Sequence, residues 1–141
     1  MRLKKTQKST KKSNAIVWKR AIDVEKQIKD IIRICKMEWI SFSSIHCFRS
    51  INAKTSAFAR IWGLGRIWQL ALSTKPSYVI EVISEKYDQL PLDKKSEILI
   101  HELTHIPKNF SGSLIPHYRK GKRKFHDMVH QMVIYYNHKK G

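Results

Sequence analysis

The first apolar pattern in the chain has helical spacing. Between residues 15 and 35, apolar positions recur in steps of four and three, as they do along one face of a helix. The members of this face are Val17, Ala21, Val24, Ile28, Ile31 and Cys35. The pattern predicts an N-terminal helix over residues 15–35.

The next stretch is typical of β-strands, because aromatic and β-branched residues replace the helical spacing. It predicts strands over 37–49, 58–64 and 78–83. A polar turn separates the first two, and residues 67–72 fit either a strand or a short helix. The strand over 78–83 has two interpretations. It is either a sheet edge, where an extended peptide can pair, or a buried core strand.

Two further helices follow. Asp93 suits the N-cap of a helix that continues to Thr104, and Pro107 ends it. A loop is expected over 108–116, and a last helix over 121–137. Its buried stripe is expected to consist of Phe125, Val129, Met132 and Tyr136.

These elements together predict an α+β fold, with an N-terminal helix, a small sheet and two later helices. The 141 residues are 42% hydrophobic, which is enough for one domain with a core. We place this domain at 14–138, because residues 1–13 are lysine-rich, lack acids and are expected to form a disordered tail. No internal repeat or second domain is evident.

The charge of the chain favours an anionic partner. Lysine and arginine number 28 against 11 acidic residues, giving a net charge of +17. Such a charge attracts polyanions, so nonspecific binding to nucleic acid is one expectation. The alternative is that the lysine-rich termini are solvated segments that confer solubility.

Cysteine content and hydropathy indicate the compartment. Cys35 and Cys47 form no CxxC motif and no disulfide framework, which fits a reducing environment. No apolar run approaches about 18 residues, and no apolar segment follows the basic N-terminus. We therefore expect a cytoplasmic protein without a membrane partner, and the sequence does not indicate its oligomeric state.

The strongest chemical signal is the sequence His101-Glu102-Leu103-Thr104-His105. Two histidines four residues apart lie on the same face of a helix, so both imidazoles can bind one Zn²⁺. The glutamate beside the first histidine can then act as a general base on a water molecule. This HExxH motif predicts a metallopeptidase.

A catalytic zinc site needs a third protein ligand. No glutamate follows Glu102, which excludes a downstream glutamate ligand. The metzincin class of zinc peptidases is excluded as well, because Lys108 and Ser111 stand where metzincins have glycine and histidine. The remaining candidates are His117, His126, Asp127, His130 and His138. His117 is favoured because it lies on the loop directly after the motif, and His126 is the alternative third ligand.

The chain resembles the phage and archaeal metallopeptidase family. The resemblance is carried by the stretch 78–83, the HExxH segment with the following Ile106-Pro107, Phe110-Ser111-Gly112 and Pro116-His117. That family is similar to the SprT and Spartan zincins. The resemblance implies a minimal zincin fold with a small, mostly antiparallel sheet. It also implies that Pro116-His117 supplies the third ligand, although SprT-like proteins continue His-Gly where Tyr118 stands here.

The sequence therefore predicts a zinc metallopeptidase that hydrolyses a peptide or protein substrate, with Glu102 as general base. Tyr118, Arg123 or His126 could donate a hydrogen bond to the developing oxyanion. One alternative is a basic nucleic-acid-binding protein with a structural or vestigial metal site, and an enzyme acting on DNA-bound proteins would combine the two. In the simplest alternative, the HExxH match is a coincidence in a small basic domain.

Overall fold

The computed structural model describes residues 14–118 and 125–140. The predicted tail over 1–13 lies outside this range, as does Arg123. In chain order the elements are β1 (Val17–Arg20), α1 (Ile22–Ile34), a 3-10 turn (Phe42–Ser44), β2 (Ile45–Ile51), β3 (Ala59–Gly63), α2 (Arg66–Leu72), β4 (Tyr78–Ile83), α3 (Ser84–Tyr87), α4 (Leu92–Thr104) and α5 (Phe125–Lys140). The predicted α+β class is confirmed.

The prediction that the first helix begins at residue 15 is wrong. Residues Val17–Arg20 form an edge strand that pairs antiparallel with β2, with Val17 opposite Ile51. The helix begins only at Ile22 and buries Val24, Ile28 and Ile31 as its apolar spacing predicts. Long-range pairing of the strand therefore overrides the helical period at residues 17–20.

The predicted strand over 37–49 begins later than expected, at Ile45. Residues 37–41 instead turn back beneath the end of α1, where Met37 N–H donates to the Ile32 carbonyl oxygen. Met37 and Ile40 are buried there, and the Trp39 indole donates to the Ile106 carbonyl oxygen at 3.1 Å. Their apolar character thus reflects burial around the helix end.

The four strands form one mixed sheet in the order β1-β2-β4-β3. β1 and β2 are antiparallel, as are β3 and β4, while β2 and β4 are parallel. β4 is therefore a central strand, which confirms the buried interpretation of 78–83 and contradicts the edge interpretation. The edge strand beside β4 is β3.

The helices α1, α4 and α5 contribute to a core on one side of the sheet. Tyr78, Ile80 and Val82 alternate along β4 and belong to this core together with Leu99 and Leu103 of α4. Residues 67–72, which were ambiguous in sequence, form the short helix α2. No helix in the described part of the chain combines the length and apolar character needed to cross a membrane.

The other face of the sheet carries a buried carboxylate. Glu81 is fully buried and accepts hydrogen bonds from Arg60 (2.7 Å), Ser50 (2.6 Å) and Trp62 (2.9 Å). Burial alone raises the pKa of Glu81, but these three donors outweigh it and hold the pKa below its ordinary value. Because Arg60 and Trp62 lie on β3 and Ser50 on β2, the carboxylate ties both neighbouring strands to β4.

Candidate metal centre

The HExxH helix is α4. It begins at Leu92, with Pro91 at the N-cap, so the prediction of Asp93 as N-cap is wrong by two residues. Proline suits the start of a helix because the N–H it lacks has no partner within the helix there. The helix ends at Thr104, two residues before Ile106 and three before Pro107, as the proline predicts.

Three imidazoles meet at the C-terminal end of α4. The Nε2 atom of His117 lies 3.1 Å from Nε2 of His101 and 3.2 Å from Nε2 of His105. Within the described residues these three side chains form a candidate metal-binding group, with all ligand atoms within 4.8 Å of one another. Tetrahedral coordination at zinc–nitrogen distances of about 2.0–2.1 Å places nitrogens about 3.3 Å apart. The three histidines fit a metal of this kind.

The loop after α4 brings His117 to the site. The Ile115 N–H donates to the His105 carbonyl oxygen at 2.7 Å, and Nδ1 of His105 lies 2.5 Å from the Ile115 carbonyl oxygen. A carbonyl oxygen only accepts, so His105 carries its proton on Nδ1 and leaves the Nε2 lone pair for a metal. His117 follows two residues after this pairing.

Two side chains from outside the loop also hold it. The Tyr78 hydroxyl accepts from the Gly112 N–H and donates to the Ser113 carbonyl oxygen, both at 2.8 Å. The Gln69 side-chain amide donates to the carbonyl oxygens of Leu64 and Ser111, also at 2.8 Å. The loop therefore rests on β4, on the end of β3 and on α2.

Gly112 is required at this contact. Its φ of +96° lies in the region that favours glycine, and a Cβ there would overlap the Leu64 carbonyl oxygen and the Gln69 side chain. Across the same contact, a Cβ on Gly63 would overlap the Gly112 carbonyl oxygen. The close approach of two backbones thus explains both glycines, and it fixes the path of the chain toward His117.

The site is partly withdrawn from water. Burial, followed by the nearby His105 and His117, lowers the pKa of His101 to about 4. Burial also lowers the pKa of His105, although the hydrogen bond with Ile115 opposes that shift. Both imidazoles are therefore neutral near pH 7, which is the state in which they bind metals.

Glu102 is buried beside the three histidines. Its side chain lines an open cavity together with His101, and only 7% of the residue is exposed. Burial raises the pKa of Glu102 to about 8 in the metal-free protein. A carboxylate in this position has high proton affinity and an open approach from the cavity.

Phe125, the first residue of α5, forms a wall of the site. Its ring stacks on His105 with centroids 4.2 Å apart, and it meets His101 and His117 edge to face at 5.1 and 5.2 Å. The sequence pattern identified Phe125 only as part of a buried helical stripe. Its position eight residues after His117 gave no indication that it packs on all three imidazoles.

The other candidate residues lie elsewhere. His126 and His130 line the cavity from α5 but are not members of the three-histidine group. Nε2 of His126 lies 3.5 Å from a carboxylate oxygen of Asp127, and both side chains are largely exposed. Tyr118 is 72% exposed, and His138 is exposed near the end of α5. The structure thus brings together His101, His105 and His117, with Glu102 beside them.

Comparison with known proteins agrees with this geometry. The family model described as "Putative phage metallopeptidase" matches residues 16–137, which contain the sheet, α4 and the three histidines. No curated protein and no solved structure matches the chain. Since the family model spans most of the chain, the chain belongs to the phage metallopeptidase family.

Proposed function

We propose that the protein is a zinc-dependent peptidase in which His101, His105 and His117 hold the ion and Glu102 is the general base. The observation that carries this proposal is the convergence of three imidazole Nε2 atoms beside a buried carboxylate at an open cavity. Three histidine ligands and an open fourth position for water are typical of catalytic zinc sites. Membership of the metallopeptidase family supports the same reaction class.

Zinc suits this donor set because imidazole nitrogen is among its preferred ligands. When bound, the ion supplies a Lewis acid that acidifies water and polarises a carbonyl group. The protein orients the ligands. Ile115 orients His105 through its carbonyl oxygen, and the ring of Phe125 packs against all three imidazoles.

Glu102 performs the proton transfers. It takes a proton from the attacking water while the water oxygen bonds to the carbonyl carbon of the peptide. It then delivers that proton to the amide nitrogen as the carbon–nitrogen bond breaks. The products are a carboxylic acid and an amine, and Glu102 returns to its starting state. Its burial favours this role because desolvation raises its affinity for the proton.

Among the described residues, β3 has no partner strand on the side away from β4, and this free edge is the place for an extended substrate. The Ile83 N–H donates to Phe58 and the Leu64 N–H to Ser77, so even-numbered residues of β3 hydrogen-bond to β4. The alternation in antiparallel ladders then directs the backbone groups of Ala59 and Ile61 away from β4. A peptide can pair there through main-chain hydrogen bonds. Peptide pairing, which the sequence suggested for 78–83, is thus assigned to β3.

The test compares a Glu102→Gln variant with the wild type, both loaded with zinc. We expect the variant to bind zinc but to lose at least about 100-fold in the rate of peptide cleavage. Glu38→Gln, which changes an exposed carboxylate outside the cavity, is the control and should cleave normally. Equal rates for the wild type and Glu102→Gln would remove Glu102 from the mechanism.

A second function, binding to nucleic acid, is favoured by a separate observation. Trp18 and Trp62, on the sheet face that carries Glu81, are each about half exposed, and the Arg60 guanidinium lies 5.1 Å from the Trp62 ring. Exposed aromatic rings beside cations can stack on the bases of single strands. The net charge of +17 attracts the phosphates.

This second function is tested by titrating single-stranded DNA at several salt concentrations. We expect affinity to fall steeply with salt and to weaken in a Trp62→Ala variant. A flat salt response would reject it. Action on proteins bound to nucleic acid would require both this binding and the peptidase activity.

A further inference from the structure

A large cavity opens directly beside the proposed catalytic carboxylate. Its volume is about 730 Å³, and His101 and Glu102 form part of its wall. The rest of the wall comes from the start of β3 and from facing sides of α4 and α5. Its apolar members are Phe58, Ala59, Ile98, Val129, Val133 and Ile134.

The apolar wall is built into the fold. Ile98, Val129 and Val133 are partly buried and pack against the main core, so their positions are set by the packing of α4 on α5. Ile134 and Phe58 are more exposed, at 55% and 46%, and extend the wall toward solvent. Covering apolar side chains of such exposure with another apolar group removes them from water and lowers the free energy of the system.

The cavity also adjoins the edge of β3 where the substrate is proposed to pair. Ala59 belongs both to the cavity wall and to the free edge of β3, where its backbone groups point away from β4. Successive side chains of a strand point to opposite sides, so a peptide paired with β3 directs alternate side chains toward the helices. One of these side chains, close to the scissile bond, enters the cavity.

We propose that this cavity is a specificity pocket and that the enzyme cleaves peptides beside a large apolar residue such as leucine, phenylalanine or methionine. This inference rests on the proposed peptidase function. Beyond Glu97 and the proposed catalytic residues, the polar lining residues are His126, His130 and Asn137, and these three are exposed. An apolar side chain in the pocket is covered on three sides by β3, α4 and α5, whereas a charged side chain would lose its hydration there.

The first experiment uses the zinc-loaded wild type and a peptide library randomised on both sides of the scissile bond. We expect large apolar residues to be preferred over serine and aspartate by at least about tenfold at one of the two positions that flank this bond. Cleavage without such a preference, or with a preference for charged residues at both positions, would overturn the inference.

A binding measurement separates this inference from the proposed function. Fluorescent peptides that differ only in leucine or serine at the tested position are titrated into the Glu102→Gln variant. One outcome is that the wild type cleaves neither peptide, while the variant binds the leucine peptide more tightly than the serine peptide. In that case the peptidase proposal fails and the pocket stands. If both peptides bind equally or neither binds, the pocket assignment fails, whatever the wild type cleaves.

A charge reversal in the wall gives the sharpest test. Ile134→Glu places a carboxylate in the cavity at an exposed position, so the fold should tolerate it. We expect cleavage of leucine peptides to fall and cleavage of lysine peptides to rise relative to the wild type. Ile67→Glu, on α2 outside the cavity and 71% exposed, is the matched control. An unchanged preference in Ile134→Glu, or the same change in Ile67→Glu, would overturn the assignment.

A filling variant provides independent support. Val133→Phe adds volume inside the cavity without changing charge. We expect it to shift the preference from phenylalanine toward smaller residues such as valine and alanine, and an unchanged size preference would count against the pocket. Circular dichroism and zinc content would show whether a loss of all cleavage reflects misfolding. In that event, the result for Ile134→Glu decides the question.

Discussion

Nδ1 of His105 lies 2.5 Å from the carbonyl oxygen of Ile115, while the Ile115 N–H donates to the carbonyl oxygen of His105. This reciprocal contact joins the end of α4 to the loop that follows it. It fixes the proton of His105 on Nδ1, and it sets the position of the chain two residues before His117. One local contact thus orients a ligand from the helix and helps to place a ligand from the loop.

The Tyr78 hydroxyl should influence metal affinity without touching the metal. It links Gly112 and Ser113 to β4, so Tyr78→Phe removes two of the hydrogen bonds that hold the loop carrying His117. Changes of this kind around metal ligands typically weaken metal binding about 10–100-fold. We expect a tenfold or larger rise in the zinc dissociation constant, measured by competition with a chelator.

Tyr87→Phe is the matched control for this prediction. Tyr87 is also buried, but its hydroxyl is 3.4 Å from the Gln27 side chain, away from the histidines. This variant should bind zinc as tightly as the wild type. Equal zinc affinities for Tyr78→Phe and the wild type would show that the loop does not need this anchor.

Phe125→Leu should weaken both the fold and the metal site. The variant keeps an apolar side chain but loses the stacked contact with His105 and the edge contacts with His101 and His117. We expect the free energy of unfolding to fall by about 1–2 kcal/mol. Zinc affinity should fall several-fold, because the rings are less well oriented.

The comparison variant is Phe42→Leu, because Phe42 is a partly buried phenylalanine that packs on the main core away from the three histidines. Urea denaturation and chelator competition on both variants separate stability from metal binding. A similar loss of zinc affinity in both would show that the effect comes from general destabilisation.

The pH dependence of stability should report the burial of Glu102. Its pKa rises from an ordinary value of 4.5 to about 8 on folding of the metal-free protein. A carboxyl with a raised pKa contributes its full stabilisation below pH 4.5, and this is lost as pH rises through 8. Relative to the wild type, metal-free Glu102→Gln should therefore gain on the order of 3 kcal/mol in stability between about pH 5 and 8.

This difference is measured by urea denaturation of both proteins in the presence of a chelator. His101, whose pKa is lowered to about 4, is present in both proteins, so its own titration largely cancels in the comparison. A stability difference that does not change with pH would contradict the account of Glu102 as a desolvated carboxyl.

The elements around the site were predictable where the local pattern and the tertiary environment agree. The strand over 78–83 is buried and β-branched, and it is observed as β4. The helix with the HExxH motif was expected because its apolar residues and Pro107 mark its course and its end. The three-histidine arrangement follows from the spacing of His101 and His105 on this helix and from the short loop to His117.

Other features depend on contacts that local sequence does not encode. Val17–Arg20 continues a helical pattern but pairs with β2, and residues 37–41 have a strand-like composition but wrap the end of α1. The role of Phe125 requires the packing of α5 on α4. Similarly, the anchoring of the loop by Tyr78 and Gln69 joins residues more than 30 positions apart in the chain.

The central claim is that three imidazoles hold one divalent ion, and zinc stoichiometry tests it most directly. Wild type and His126→Ala should each bind one zinc ion per chain after dialysis, while His117→Ala should lose most of it. X-ray absorption of the wild type should show three nitrogen neighbours from histidine at about 2.0–2.1 Å. Full zinc content in His117→Ala, or its loss in His126→Ala, would contradict the account.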